Sequence, residues 1–106
     1  MTALKTYTAQ QVRDLLKQDV IVLVDVREPD EHACECIEGA VLCPLSTFDP
    51  AKLPPAGDKE IVLHCAGGVR SAKALACCLG EGKGATAHME GGIKAWKNAG
   101  LPTTKP

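Results

Sequence analysis

Apolar positions along this chain change period from helical to continuous and back. Val12, Leu15 and Leu16 recur at helical spacing behind Thr8, and Gln11 completes a capping-box pattern with it; together they predict an amphipathic helix over about residues 9–18. Ile21-Val22-Leu23-Val24 is an unbroken, β-branched run, the pattern of a strand buried on both faces. Pro29 fits the first turn of a short helix to about Cys34, where its missing N–H costs least. Ala40-Val41-Leu42 is a second apolar piece, and Pro44, Pro50, Pro54 and Pro55 predict a surface connection of little regular structure. Ile61-Val62-Leu63-His64 reads as another buried strand. Val69 to about Leu79 reads as a helix stopped by Gly80, Gly82 and Gly84. Thr86-Ala87-His88-Met89 is a weak last strand. Gly91-Gly92 then opens a helix from about Ile93 to Asn98, with Ile93 and Trp96 as core anchors.

Strands alternating with helices imply an α/β architecture, its sheet mainly parallel and covered by helices on both faces. Ligands of such sheets sit outside the C-terminal ends of the strands. With 106 residues the chain is expected to form one domain over 1–106. A net charge of -1 argues against a nucleic-acid partner. The longest apolar run, Val20 to Val24, is far too short to span a bilayer, and Met1 to Tyr7 lacks the pattern of an export signal. A cytoplasmic location without membrane attachment is the resulting expectation. Six cysteines (Cys34, Cys36, Cys43, Cys65, Cys77 and Cys78) are then expected as free thiols, with Cys43, Cys77 and Cys78 serving as small packing residues.

Candidate chemistry concentrates in His64-Cys65-Ala66-Gly67-Gly68-Val69-Arg70-Ser71, between a buried strand and a helix. Such a turn directs backbone N–H groups inward, and the helix behind it adds a positive dipole end. Gly67 and Gly68 allow close approach of the backbone to a ligand. Arg70 adds a permanent charge with a planar donor fork. A thiol in this setting ionises more readily than a free cysteine of pKa about 8.5. Cys65 is therefore a candidate nucleophile whose surroundings would also hold the anion it attacks. His64, on the strand, should point to the opposite face and is a poor base for Cys65. His32 and His88 have no recognisable partner in the sequence.

Four segments resemble the rhodanese-like sulfurtransferase family: Asp25-Val26-Arg27-Glu28-Pro29-Asp30-Glu31, Ile37-Glu38-Gly39-Ala40, the Cys65 to Ser71 loop, and Glu90-Gly91-Gly92-Ile93-Lys94-Ala95-Trp96 with Gly100-Leu101-Pro102. The resemblance covers about residues 7–102. It implies a rhodanese-like three-layer α/β/α fold with a five-stranded, mainly parallel central sheet. It also implies a double displacement in which thiosulfate or a similar anionic donor gives its outer sulfur to a cysteine. Cyanide or a thiol, or a sulfur-relay protein, then removes that sulfur. Carried onto this chain, Cys65 holds the persulfide. The amides of Ala66, Gly67, Gly68, Val69, Arg70 and Ser71 cradle the sulfur and the anion, and Arg70 stabilises negative charge. The resemblance implies no cofactor, and a monomer or weak dimer is expected.

Loop length separates relatives of this fold: sulfurtransferases tend to have C-x4-R, whereas related phosphatases and arsenate reductases have C-x5-R. Cys65 to Arg70 is C-x4-R, which favours sulfur transfer. A persulfide carrier for protein partners is an alternative that sequence does not separate from a thiosulfate enzyme. Asp25, Arg27 and Glu31 are read as an ion-pair network fixing the turn after their strand, on the rim that carries Cys65. Cys36 stands where the family commonly has His. It is either a resolving thiol for Cys65 or an ordinary loop thiol. His32, Cys34 and Cys36 lack the second ligand pair that a zinc site would need.

Overall fold

The computed structural model describes residues 4–106, so the first residues of the Met1 to Tyr7 stretch lie outside the described residues. Five strands, β1 (Thr6–Tyr7), β2 (Ile21–Asp25), β3 (Val41–Leu42), β4 (Glu60–His64) and β5 (Ala87–Met89), form one sheet in the order β1-β5-β4-β2-β3. Every pairing is parallel. Four α-helices complete the chain: α1 (Ala9–Lys17), α2 (Pro29–Cys34), α3 (Val69–Glu81) and α4 (Gly92–Asn98). None of the described helices is long and apolar enough to cross a membrane.

Alternation along the central strands assigns the two faces. Ile21, Leu23 and Val62 pack with Ala9 and Val12 of α1 and with Ile93 and Trp96 of α4. Val24, Ile61 and Leu63 pack instead with Ala74, Leu75 and Cys78 of α3. The layers are thus helix, sheet, helix, as expected. Because all strands run the same way, the ends of β2, β4 and β5 lie on one rim, and α3 and α4 begin there.

Local rules explain most boundaries. The Thr8 hydroxyl accepts from the Gln11 amide at 3.1 Å while Gln11 Oε1 accepts from the Thr8 amide at 2.9 Å, closing the predicted capping box of α1. Trp96 is buried as predicted, and its Nε1–H donates to the Pro102 carbonyl at 2.8 Å, fastening the chain end to α4.

Several expectations are corrected. Gly80 lies inside α3, which ends only at Gly82, where the backbone turns left-handed. The proline-rich connection is more ordered than predicted, with 3₁₀ turns at Leu45–Thr47 and Pro50–Lys52. Leu45, Phe48 and Leu53 from it pack on the α3 side of the core. Strand β1 has only two residues and gave no pattern; its place is set by pairing with β5. Cys78 is buried, but its neighbour Cys77 is exposed, since a helix turns adjacent residues to different faces. All six cysteines are free.

Candidate active site

Cys65 follows the last residue of β4, and Gly68, at φ 101°, caps the start of α3. The tight loop between them is held from outside by the β5–α4 corner. Ile93 N–H donates to the Cys65 carbonyl at 2.8 Å, and Lys94 N–H to the Ala66 carbonyl at 3.2 Å. His64 Nδ1 lies 3.2 Å from the same Cys65 carbonyl. These bonds draw the loop carbonyls away from the sulfur. Gly92 makes the approach possible: at φ 60°, any Cβ there would run into the carbonyls of Cys65 and Ala66. The sequence signal for this contact was the double glycine Gly91-Gly92, read only as a helix start.

With its carbonyls turned away, the loop presents N–H groups to Cys65. Gly68 N–H donates to Sγ at 3.0 Å, and Ser71 Oγ lies 3.5 Å from it. Burial opposes ionisation of the thiol, but bonds from the Ser71 hydroxyl and from the Ser71, Gly68 and Gly67 amides outweigh it and leave the pKa below the ordinary value. Cys65 itself is 1% exposed, Ala66 and Gly68 are half-buried, and Val69 projects from the loop at 69% exposure.

Arg70 is committed to a partner that sequence spacing did not suggest. Its guanidinium makes a two-pronged ion pair with Glu31 of α2, at 2.6 and 2.9 Å. The Arg70 fork holds the Glu31 carboxyl at a pKa of about 2, and that carboxylate in turn raises Arg70. The expected Asp25, Arg27 and Glu31 network is therefore divided. Glu31 clamps the Cys65 loop, whereas Arg27 binds Asp25 through Nε and Nη2 at 2.8 to 3.1 Å. Burial opposes the charge on Asp25, and the Arg27 bonds together with nearby His64 and the His32 bond more than compensate, so its carboxyl stays below the usual range. Arg27 Nη2 also donates to the Glu35 carbonyl at 2.6 Å, tying down the end of α2.

The histidines without partners in the sequence have them in the fold. His32 Nδ1 lies 2.9 Å from Asp25 Oδ2, and His88 Nδ1 lies 2.9 Å from Ser71 Oγ. His64 is buried, with its Nε2 without a hydrogen-bond partner and 3.9 Å from Asp25; burial lowers its pKa against the pull of Asp25 and favours the neutral ring. Its bond runs to the Cys65 carbonyl, so its role is to hold the loop backbone. Cys36 is buried at an antiparallel bridge whose amide donates to Thr104 at 2.8 Å and whose carbonyl accepts from it at 2.7 Å. It belongs to neither apolar cluster, and among the described residues no hydrogen bond joins its thiol to the Cys65 loop. His32, Cys34 and Cys36 are not gathered into a metal-binding group among the described residues.

The chain is similar in sequence and fold to several known proteins. An uncharacterized protein of Synechocystis is 44% identical over 100 residues, covering 94% of this chain and 56% of that protein. A probable adenylyltransferase/sulfurtransferase, MoeZ of Mycobacterium tuberculosis, is 42% identical over 86% of this chain, which spans only 24% of it. A sulfurtransferase of Allochromatium vinosum is 34% identical over 86 residues, covering 81% of this chain and 80% of the relative. Among solved structures, a thiosulfate sulfurtransferase from Pseudomonas aeruginosa superposes with a TM-score of 0.85 at 26% identity, over 95% of this chain and 20% of that one. The family model for the rhodanese-like domain matches residues 8–99, taking in the Cys65 loop, its Glu31 clamp and the Gly92 corner, and the chain belongs to that family.

Proposed function

We propose that this chain is a sulfurtransferase that carries sulfane sulfur on Cys65 as a persulfide. The observation that carries the reading is the Gly68 N–H at 3.0 Å from a buried sulfur whose pKa is lowered by the loop around it. The Cys65 thiolate attacks the outer sulfur of thiosulfate. The new S–S bond forms as the old one breaks, and sulfite leaves with the bonding pair. Cyanide then attacks the terminal sulfur of the persulfide, releasing thiocyanate and restoring the thiolate. A thiol acceptor takes the sulfur in the same sense. Neither displacement calls for a carboxylate base, in keeping with Asp25 and Glu31 both being engaged with arginines.

Each half-reaction passes a negative charge over the loop, and fixed N–H donors are suited to that because they need no reorganisation. The six-residue span from Cys65 to Arg70 favours sulfur over a tetrahedral phosphate or arsenate, and no turnover of an aryl phosphate is expected. Intact mass after incubation with thiosulfate provides the test. A gain of one sulfur atom, lost in Cys65→Ser together with thiocyanate formation, is expected. An equal gain in the variant sinks the reading.

A protein donor or acceptor is a second reading, favoured by Val69. This apolar side chain is 69% exposed at the mouth of the loop, where a partner delivering a persulfide would dock. Faster loading of Cys65 from a cysteine desulfurase than from thiosulfate is its expected signature. Val69→Ser, which removes the apolar side chain without adding charge, should slow loading by the protein donor more than loading by thiosulfate.

A further inference from the structure

His88 has no part in the two displacements, yet it reaches the sulfur through a single hydroxyl. Strand β5 lies beside β4 with His88 opposite Leu63, two residues before Cys65. His88 Nδ1 is 2.9 Å from Ser71 Oγ, and Ser71 Oγ is 3.5 Å from Cys65 Sγ. All three residues are buried, so these contacts act where water competes little.

The Ser71 hydroxyl has one proton and three neighbours able to take it: Cys65 Sγ, His88 Nδ1 and the Gly68 carbonyl at 3.4 Å. If the imidazole proton sits on Nδ1, the ring donates to Ser71 Oγ and the hydroxyl proton is left for the other two. A thiolate then outcompetes a carbonyl, because charged acceptors bind a donor more strongly. If the proton sits on Nε2, Nδ1 takes the hydroxyl proton, and the oxygen lone pairs face the sulfur. That arrangement suits a protonated thiol.

We propose that His88 is a positioning residue for Cys65, its Nδ1–H fixing the Ser71 hydroxyl as a donor to the thiolate. The same chain serves ionisation. The thiol proton passes to Ser71 Oγ, the Ser71 proton passes to Nδ1, and the ring releases its Nε2 proton to water, ending neutral. Burial pushes the His88 pKa below its ordinary value, with the Glu90 charge a partial offset, and so favours the neutral ring. The charges bearing on the chain are Glu90 beside His88 and Arg70 beside Cys65. On its far side, His88 N–H donates to the Lys5 carbonyl at 3.1 Å, which holds β5 in place. The consequence for turnover rests on the sulfur-carrier reading of Cys65; the consequence for its acidity does not.

The test is the pH profile of Cys65 alkylation by iodoacetamide, read by peptide mass in folded protein. His88→Leu should slow labelling at pH 6 by about three- to tenfold, the scale of one weakened hydrogen bond to a charged group. His88→Asn, whose side-chain N–H can occupy the place of Nδ1–H, should restore the rate to within about twofold. Ser71→Ala should slow labelling at least as much, and adding His88→Leu to it should slow it no further. An unchanged profile in His88→Leu, no rescue by Asn, or multiplying effects in the double variant would each overturn the proposal. Ring nitrogen NMR of the unaltered protein tests it without any variant: protonated Nδ1 is expected in the thiolate form, and protonated Nε2 alone refutes it. Sulfur loading from thiosulfate, measured by intact mass on the same samples, keeps the two ideas apart. Normal loading with an unchanged His88→Leu profile removes the His88 role alone. No loading with the expected profile removes the sulfur-carrier reading alone.

Discussion

Cys65 lies in the loop that leads into α3 and Cys78 near the end of that helix; both are equally buried, each 1% exposed, yet their acidities move in opposite directions. Burial raises Cys78, and the nearby Cys77 and Glu81 add to this against one bond from the Ala85 backbone. Burial pushes Cys65 the same way, but the donors of Ser71, Gly68 and Gly67 reverse it. The difference is one of position relative to α3. Free N–H groups gather where a helix begins, while free carbonyls gather where it ends. Burial alone raises a thiol's pKa; burial beneath directed donors lowers it.

The contrast can be broken most severely from outside the loop. Gly92→Ala places a methyl against the Cys65 and Ala66 carbonyls. We expect a stability loss of about 3 kcal/mol from strain and overpacking. A displaced loop should also cut sulfur transfer on the order of 100-fold. Wild-type turnover and melting in this variant would deny the corner its role. Native labelling compares the two thiols directly. Near neutral pH, iodoacetamide should modify Cys65 at least about tenfold faster than Cys78. Equal rates would mean that the donors do not overcome burial.

A smaller effect is expected from Cys78→Ala. It should lower stability by about 1 to 2 kcal/mol through the small cavity it leaves, with the pH profile of Cys65 labelling unchanged. A shift in that profile would show the two ends of α3 to be coupled. The smallest change concerns the clamp. Glu31 is partly solvated, so Glu31→Gln should cost under about 1 kcal/mol at neutral pH. The folded-state pKa of Glu31 is depressed to about 2 from 4.5, so its contribution is whole above 4.5 and is lost as pH falls through about 2. Urea unfolding of the two proteins should therefore converge as pH falls through that interval, and a gap that persists well below pH 2 would assign the effect to packing.

What was legible in the sequence depended on how far apart the interacting residues lie. Ile21 to Val24 and Ile61 to His64 showed as strands because burial on both faces leaves an unbroken apolar run. The Cys65 loop was legible as a local pattern, and so were its glycines. Partners brought together by folding were not. Glu31 meets Arg70 across 39 positions of sequence and Ser71 meets His88 across 17, with nothing in either segment to announce the other. Gly80 was misread for a related reason: packing of Leu75 and Cys78 carries α3 past a residue that local propensity would use as a stop.

The grip of α4 on the Cys65 loop has a consequence for synthesis. A ribosome releases the chain from its N-terminus, so Cys65 emerges well before Ile93 and Lys94, whose amides hold the loop carbonyls. Until that last helix docks, the cysteine lacks the frame that directs donors at its sulfur. We therefore expect the lowered pKa of Cys65 to be reached only once α4 has docked on the loop.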